Sequence, residues 1–393
     1  MKQIEATTLA ADKDFLSRIT SIRQQIHSHP ETAFEEVKTS DLVAEFLENL
    51  GLQIHRGLAK TGVVGTLKGR LAGERTIGLR ADMDALFITE ETDKSYSSNV
   101  PGKMHACGHD GHTAMLLGAA EKLAQNPDFA GTVHFIFQPG EEGVGGGRVM
   151  IEEGLFDLFP CDAVYGMHNM PKTKSGEFFI RSGPMMSAGD TWELHLRGTG
   201  GHGAMPHKGT DPTMALGTFL TSLSTIAARN VESFDSAVIS VGHISAGDAM
   251  SPNIIPADVF VRGTARTFKP ETRDLVELRI GELAQSAAQM HNCAADYNFI
   301  RRYPSLVNHK AETIKAVAAA TASVGADSVN PEAERVGASE DFAFMLEKCA
   351  GAYICLGNGE ESAFVHTPKF DFNDEIIPFG VSYWLNLVQV ELG

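Results

Sequence analysis

The sequence predicts an α/β protein: a mixed, mostly parallel sheet flanked by helices, interrupted by an inserted ferredoxin-like α+β domain. Three observations predict it. Strand-like and helix-like segments alternate through the first part of the chain and again after Lys310. From about Gly189 the order changes to strand, helix, strand, strand, helix, strand, as in a split βαβ unit. Clusters of chemically active residues follow the expected strand ends, the edge at which open α/β sheets bind ligands.

Taken in order, Asp12–His27 carries Phe15, Ile19, Ile22 and Ile26 at helical spacing and is ended by His29-Pro30. Thr39–Leu50 repeats that pattern and is stopped by Gly51. Short apolar strands are expected at Gly62–Leu67 and Thr76–Leu79, the second running into Arg80-Ala-Asp-Met-Asp84. An Ala- and Leu-rich helix is expected over His112–Gln125, then a strand at Gly131–Gln138 in which Val133, Phe135 and Phe137 alternate. Pro139-Gly-Glu-Glu-Gly143 follows, with a short helix near Val149–Glu153 and a strand at Ala163–Met167 ending at His168-Asn169.

The inserted domain is expected over residues 189–301. Its strands fall at Thr191–Arg197, Ala237–His243, Asp258–Thr267 and Asp296–Arg301, with helices at Pro212–Arg229 and Pro270–Ala287. Residues 1–188 and 302–393 then form one domain, closed by a strand at Tyr353–Leu356 and a helix at Ile377–Leu392.

Composition narrows the function. A chain of 393 residues with 43% hydrophobic and 21% charged residues has the make-up of a globular protein with room for two domains. Lys+Arg 33 against Asp+Glu 50 gives a net charge of -17, which argues against nucleic acid and anionic membrane as partners. Five scattered cysteines are not a disulfide framework and fit a reducing cytoplasm. No apolar run reaches the ~18 residues of a membrane span, and the N-terminus lacks the apolar core of a signal peptide.

The densest chemistry lies in Met104–His112, which reads Met-His-Ala-Cys-Gly-His-Asp-Gly-His. A packed core does not call for that composition, because each polar group costs free energy when buried without a partner. Cys107 and His109, two residues apart on a turn, can reach one metal ion or a close pair. Taken alone, a buried Cys beside a satisfied His explains them as well. Glu141 and Glu142, adjacent at a strand end, suit a division of labour in which one ligates and the other acts as a base. His168 and His366 are plausible further ligands, although each alone is an ordinary histidine. The glycines of 143–147 lack a phosphate-loop pattern.

Together, Arg80-Ala-Asp-Met-Asp84-Ala-Leu, His105-Ala-Cys-Gly-His-Asp-Gly-His112, Pro139-Gly-Glu-Glu-Gly143, Gly166-Met-His168-Asn and Gly201-His202-Gly-Ala-Met-Pro-His207 resemble the M20 family of metallopeptidases. More narrowly they resemble its amidohydrolase branch, which includes hippurate hydrolases, N-acyl-amino-acid deacetylases and auxin-conjugate hydrolases. The resemblance runs from His27-Ser-His-Pro-Glu31 to His366. It implies a zinc-exopeptidase-like fold whose inserted domain serves as lid and dimerisation domain. It further implies two divalent metal ions held by Cys107, His109, Glu142, His168 and His366, with Glu141 as general base. Zinc, manganese, cobalt and nickel all suit such a donor set.

On the same resemblance, Asp84 orients a ligand, and His202 reaches across a homodimer interface, or that of a higher homo-oligomer, to stabilise the oxyanion. Asn253, Arg266 and Gly337 approach the substrate, a small N-acyl amino acid. Each has a plainer reading: His202 as a loop cap, Arg266 as a solvated strand residue, Gly337 as a turn. Two places depart from the wider family. Asp82-Met83-Asp84 stands where many members have His-x-Asp, and Cys107 stands where others have a bridging Asp; both are features of the amidohydrolase branch. A dipeptidase or aminopeptidase of the same fold, and a hydrolase using Cys107 as nucleophile, are the competing readings.

Overall fold

A computed structural model describes residues 4–393. The chain forms two compact units. The first comprises the chain up to Met185, Val307–Glu334 and Asp341–Gly393; the second comprises Met186–Leu306 and Arg335–Glu340.

The first unit is built on an eight-stranded sheet. Its order is Gln53–Leu58, Gly62–Lys68, Ala130–Gln138, Leu71–Asp82, Ala163–Met170, Gly351–Gly357, Phe178–Phe179, Val329–Asn330. The four strands from Ala130–Gln138 to Gly351–Gly357 run parallel. Their inner stretches are buried without alternation, as in Ile77–Asp82 and Gly351–Gly357, because helices cover both faces. The helix His109–Gln125 packs against Lys13–Ser28 and Ile377–Leu392 on one side of the sheet. The helix Lys13–Ser28 starts where the Asp12 carboxylate accepts the Phe15 N–H at 3.2 Å, a side-chain N-cap.

Three local differences from the sequence reading bear on the site. The helix expected from His112 begins at His109, so the last four residues of the His-rich string, His109 to His112, lie in its first turn. The turn into it is made by Gly108, at φ +96°, where an added Cβ would collide with the Asn169 side chain. The strands Leu71–Asp82 and Ala163–Met170 are longer than expected, which places Asp82, His168 and Asn169 inside strands instead of after them. The edge strand Gln53–Leu58 was not anticipated. It is mostly polar and half-exposed, and its partner Gly62–Lys68, across a tight turn, supplies its pairing.

The second unit has a four-stranded antiparallel sheet in the order Ala237–Ala246, Asp258–Thr267, Ala188–Arg197, Ala294–Tyr303. Two helices, Pro212–Arg229 and Pro270–Met290, supply Phe219, Leu223, Ile226, Val276 and Ile280 to a core with Trp192, Leu194, Leu196, Val259 and Val261. The segment Arg335–Glu340, with Gly337, belongs to this unit, whereas the sequence reading put all of 302–393 in the first. Ser187 holds it there, donating its N–H and hydroxyl to the carbonyls of Gly337 and Ala338. Among the described residues no helix is long and apolar enough to cross a membrane.

Candidate metal centre

The strand ends of the first unit converge on a cluster of donor groups. Cys107 Sγ lies 3.4 Å from His168 Nε2. His366 Nε2 lies 3.0 Å from a Glu142 carboxylate oxygen. Donor atoms of Cys107, His109 and His168 lie within 4.8 Å of one another, as do those of Cys107, Glu142 and His366, and those of His109, Glu141 and Glu142. The five residues expected as ligands and the expected base therefore face one place. Cys107, His109 and Glu142 each belong to two of these groups, which is how three overlapping triads arise from six side chains.

Each donor is oriented from behind. Nδ1 of His109 is 2.8 Å from the Asp84 carbonyl and 3.2 Å from its carboxylate, which leaves Nε2 turned into the cluster. Asp84 is the organiser of this region. Its two carboxylate oxygens also accept the N–H groups of Glu141 and Glu142 at 3.0 and 2.9 Å. Nδ1 of His168 sits 2.5 Å from the Asn169 carbonyl, so its Nε2 is the nitrogen that faces Cys107. The His366 backbone is left-handed, at φ +61°, and its N–H donates to the Ala106 carbonyl at 2.7 Å. That bond joins the late loop to the Cys107 turn across most of the sequence.

Behind the donors lies a buried polar layer. His112 Nδ1 is 2.6 Å from Asp82, and its Nε2 accepts the Asn169 N–H at 3.0 Å. Asp82 also receives Arg80 at 2.6 Å, and its carboxylate stands 3.7 Å from His109 Nε2. Arg80 further donates to Gln138 and Asp341, and Asp341 accepts the Gly147 N–H. Asp110 points away from the cluster, to His27 and Arg23. The sequence flagged His112 and Asp110 only through the His-rich string. Arg80, Gln138 and Asp341 lie too far apart in sequence for any local pattern to join them.

The electrostatics suit a cation. Burial and the Glu142 charge push the Cys107 thiol above its ordinary range. Burial, with His112 beside it, holds His168 well below the usual imidazole range. Bonds to Cys107 and Glu142 raise His366 to about 10. Nε2 of His109 is buried and has no hydrogen-bond partner, a costly state for an imidazole nitrogen that a metal ion would relieve. A thiol, three imidazoles and a carboxylate at these spacings fit divalent first-row metals.

The remaining expected residues lie in the second unit. His202 sits in the short strand Gly201–His202, paired with Ile254, and its Nδ1 accepts the Ala204 N–H at 3.1 Å. Asn253 is next to it, its carbonyl accepting the Gly203 N–H at 2.7 Å. Arg266 and Ser339 both adjoin Gly189, which brings Arg266 close to the Gly337 segment.

Known proteins resemble this chain over nearly its whole length. The sequence matches Peptidase family M20/M25/M40 over residues 78–390. It is 38% identical over 374 residues to a hippurate hydrolase of Campylobacter jejuni, covering 95% of this chain and 96% of the relative. It is 36% identical over 385 residues to an N-acetylcysteine deacetylase of Bacillus subtilis, covering 97% and 99%. A dinuclear metal-binding peptidase of the M20 family from Bacillus subtilis superposes with a TM-score of 0.83 at 32% identity, covering 96% of this chain and 98% of that one. The chain belongs to peptidase family M20/M25/M40, and it is a metal-binding hydrolase of amide bonds.

Proposed function

We propose that the chain hydrolyses the amide bond of small N-acyl amino acids, such as N-acetyl or N-benzoyl derivatives, with two divalent metal ions. The observation that carries the reading is the pair of overlapping donor triads with the Glu141 carboxylate beside them. Cys107, His109, Glu142, His168 and His366 hold the ions. When bound, the ions supply Lewis acidity toward the amide carbonyl and make water more acidic.

Glu141 takes the proton from the attacking water and returns it to the leaving amine. Its place beside Glu142, with both N–H groups fixed by Asp84, keeps base and ligand from exchanging roles. Asp84 also sets the His109 tautomer, so that Nε2 presents its lone pair to the cluster. The second unit acts as lid and dimerisation domain. There His202 stabilises the oxyanion, Asn253 binds the carbonyl oxygen, and Arg266 with the Gly337 segment receives the substrate carboxylate. A chain with net charge -17 needs such local cations to hold an anionic substrate.

A Cys107 nucleophile is the weaker reading. Catalytic thiols have lowered pKa values, and burial with Glu142 pushes Cys107 the other way. The test is a panel of N-acetyl, N-benzoyl and indole-acyl amino acids against simple dipeptides, with metal-saturated protein. Cleavage of at least one acyl amino acid, above the rate on dipeptides, supports the reading; an intact panel overturns it, and a preference for dipeptides reassigns the chain to the peptidases of the fold.

A further inference from the structure

Three consecutive backbone N–H groups in the turn after the strand Ala130–Gln138 point into two buried carboxylates. Glu141 and Glu142 donate to Asp84, and Gly140 donates to Glu36 Oε1 at 2.9 Å. Glu36 has no exposed surface, and its second oxygen accepts the Thr61 hydroxyl at 2.6 Å. Burying a carboxylate is costly unless its partners repay it, so the position calls for an explanation beyond filling space. Glu36 is the N-cap residue of the helix Val37–Asn49, yet its side chain makes no cap bond to that helix. The carboxylate is committed to the turn, 104 residues further along the chain.

Gly140 is the weak point of that turn. Its φ is +61°, and glycine is the residue with the most backbone freedom. The peptide before it is pinned by Glu36 and the peptide after it by Asp84, so both torsions of Gly140 are set from outside. The same Pro30–Glu36 segment makes further contacts here. The Phe34 ring lies 3.1 Å from where a Gly140 Cβ would stand, and the Glu31 carbonyl accepts the Ala85 N–H at 2.8 Å, next to Asp84.

We propose that Glu36 is a positioning residue for Glu141: by fixing the Gly140 peptide it sets the direction in which the Glu141 carboxylate leaves the backbone. The proposal rests on the assignment of Glu141 as the base. Glu36 touches neither substrate nor the donor residues, so its loss acts on the rate of the chemical step and spares binding.

The test compares E36A, E36D and E36Q with wild type as full-length, metal-loaded protein. It reads kcat and KM on the acyl amino acid that wild type cleaves best, metal content, and amide hydrogen exchange across residues 138–147. E36D guards against misfolding, because it keeps a buried carboxylate while shortening its reach by one methylene. The expected result for E36A and E36D is faster exchange confined to the turn and kcat lower by ~10–100-fold, with metal content unchanged and KM within about twofold. E36Q, whose Oε1 still accepts the Gly140 N–H, recovers most of that kcat. Wild-type kcat in E36D, exchange unchanged at the turn, or a loss carried by KM or metal content overturns the proposal. A wild type inert on every acyl amino acid sinks the functional reading instead, and the exchange arm then decides on its own whether Glu36 holds the turn.

Discussion

Glu141 and Glu142 show how neighbouring identical residues come to stand in different surroundings. Their backbone N–H groups share one acceptor, Asp84, but Glu142 meets His366 and Cys107 while Glu141 faces the Asp341 N–H at 3.3 Å. Glu141→Gln therefore leaves the five proposed ligands intact. Elemental analysis should find wild-type metal content while turnover falls by ~10²–10⁴-fold, the usual worth of a general base. Asp84→Ala acts otherwise, since it removes the carboxylate contact to His109 Nδ1, leaving that ring only the backbone carbonyl, and releases two N–H groups. Titration with a divalent ion should show affinity weakened by ~10–100-fold, as for other residues that orient metal ligands. At this scale the sequence was informative where chemistry is crowded into short strings, as at Cys107–His109 and Glu141-Glu142. It was silent on Glu36 and Asp341, whose partners lie 104 and 261 residues away, because no local pattern records a contact made by folding.

The helix His109–Gln125 is the element that joins site to core. Its first turn carries His109, Asp110 and His112, and its later turns are packed against the final helix Ile377–Leu392 at a close approach. A Cβ on Gly380 would overlap the Met115 sulfur and come within 2.9 Å of Met167. Gly380→Val should cost ~1–3 kcal/mol by overpacking, read as a lower denaturant midpoint. The helix before the site is tied in by charge. His27 is buried between Asp110 at 2.8 Å and Glu90 at 3.2 Å. Burial pushes its pKa down, but those two carboxylates win and raise it to about 9. A raised pKa means that the folded state holds the proton more tightly than the unfolded chain, whose ordinary value is 6.5. The contribution of His27 is thus complete below 6.5 and is lost as pH rises from there through about 9. Urea unfolding of wild type and His27→Gln across that window should converge toward high pH; a constant gap would show that the ion pairs carry none of the difference. Helices and buried strands were legible because their periodicity is local, and Pro212–Arg229 and Asp258–Thr267 begin and end where the sequence suggests. The edge strand Gln53–Leu58 was not, because an exposed polar strand is defined by its partner and not by its own pattern.

On the scale of the whole chain, the division of labour follows from composition and connectivity. The parallel sheet gathers donor residues from four distant places at its strand ends, and the antiparallel unit carries His202, Asn253, Arg266 and Gly337. The switch from alternating α/β segments to the βαββαβ order was visible in the sequence. The return of Arg335–Glu340 to the second unit was not, because two carbonyls bonded to Ser187 leave no mark on hydrophobic patterning. The family match and the donor geometry lead to one central claim, that hydrolysis depends on divalent metal and on the Glu141 base. The most direct test is hydrolysis of the best acyl amino acid by protein stripped with a chelator, then reloaded with zinc, manganese, cobalt or nickel. The account predicts that stripping abolishes turnover, that at least one of these ions restores it in wild type, and that none restores it in Glu141→Gln. Turnover that survives complete metal removal and is stopped by alkylating Cys107 would contradict it.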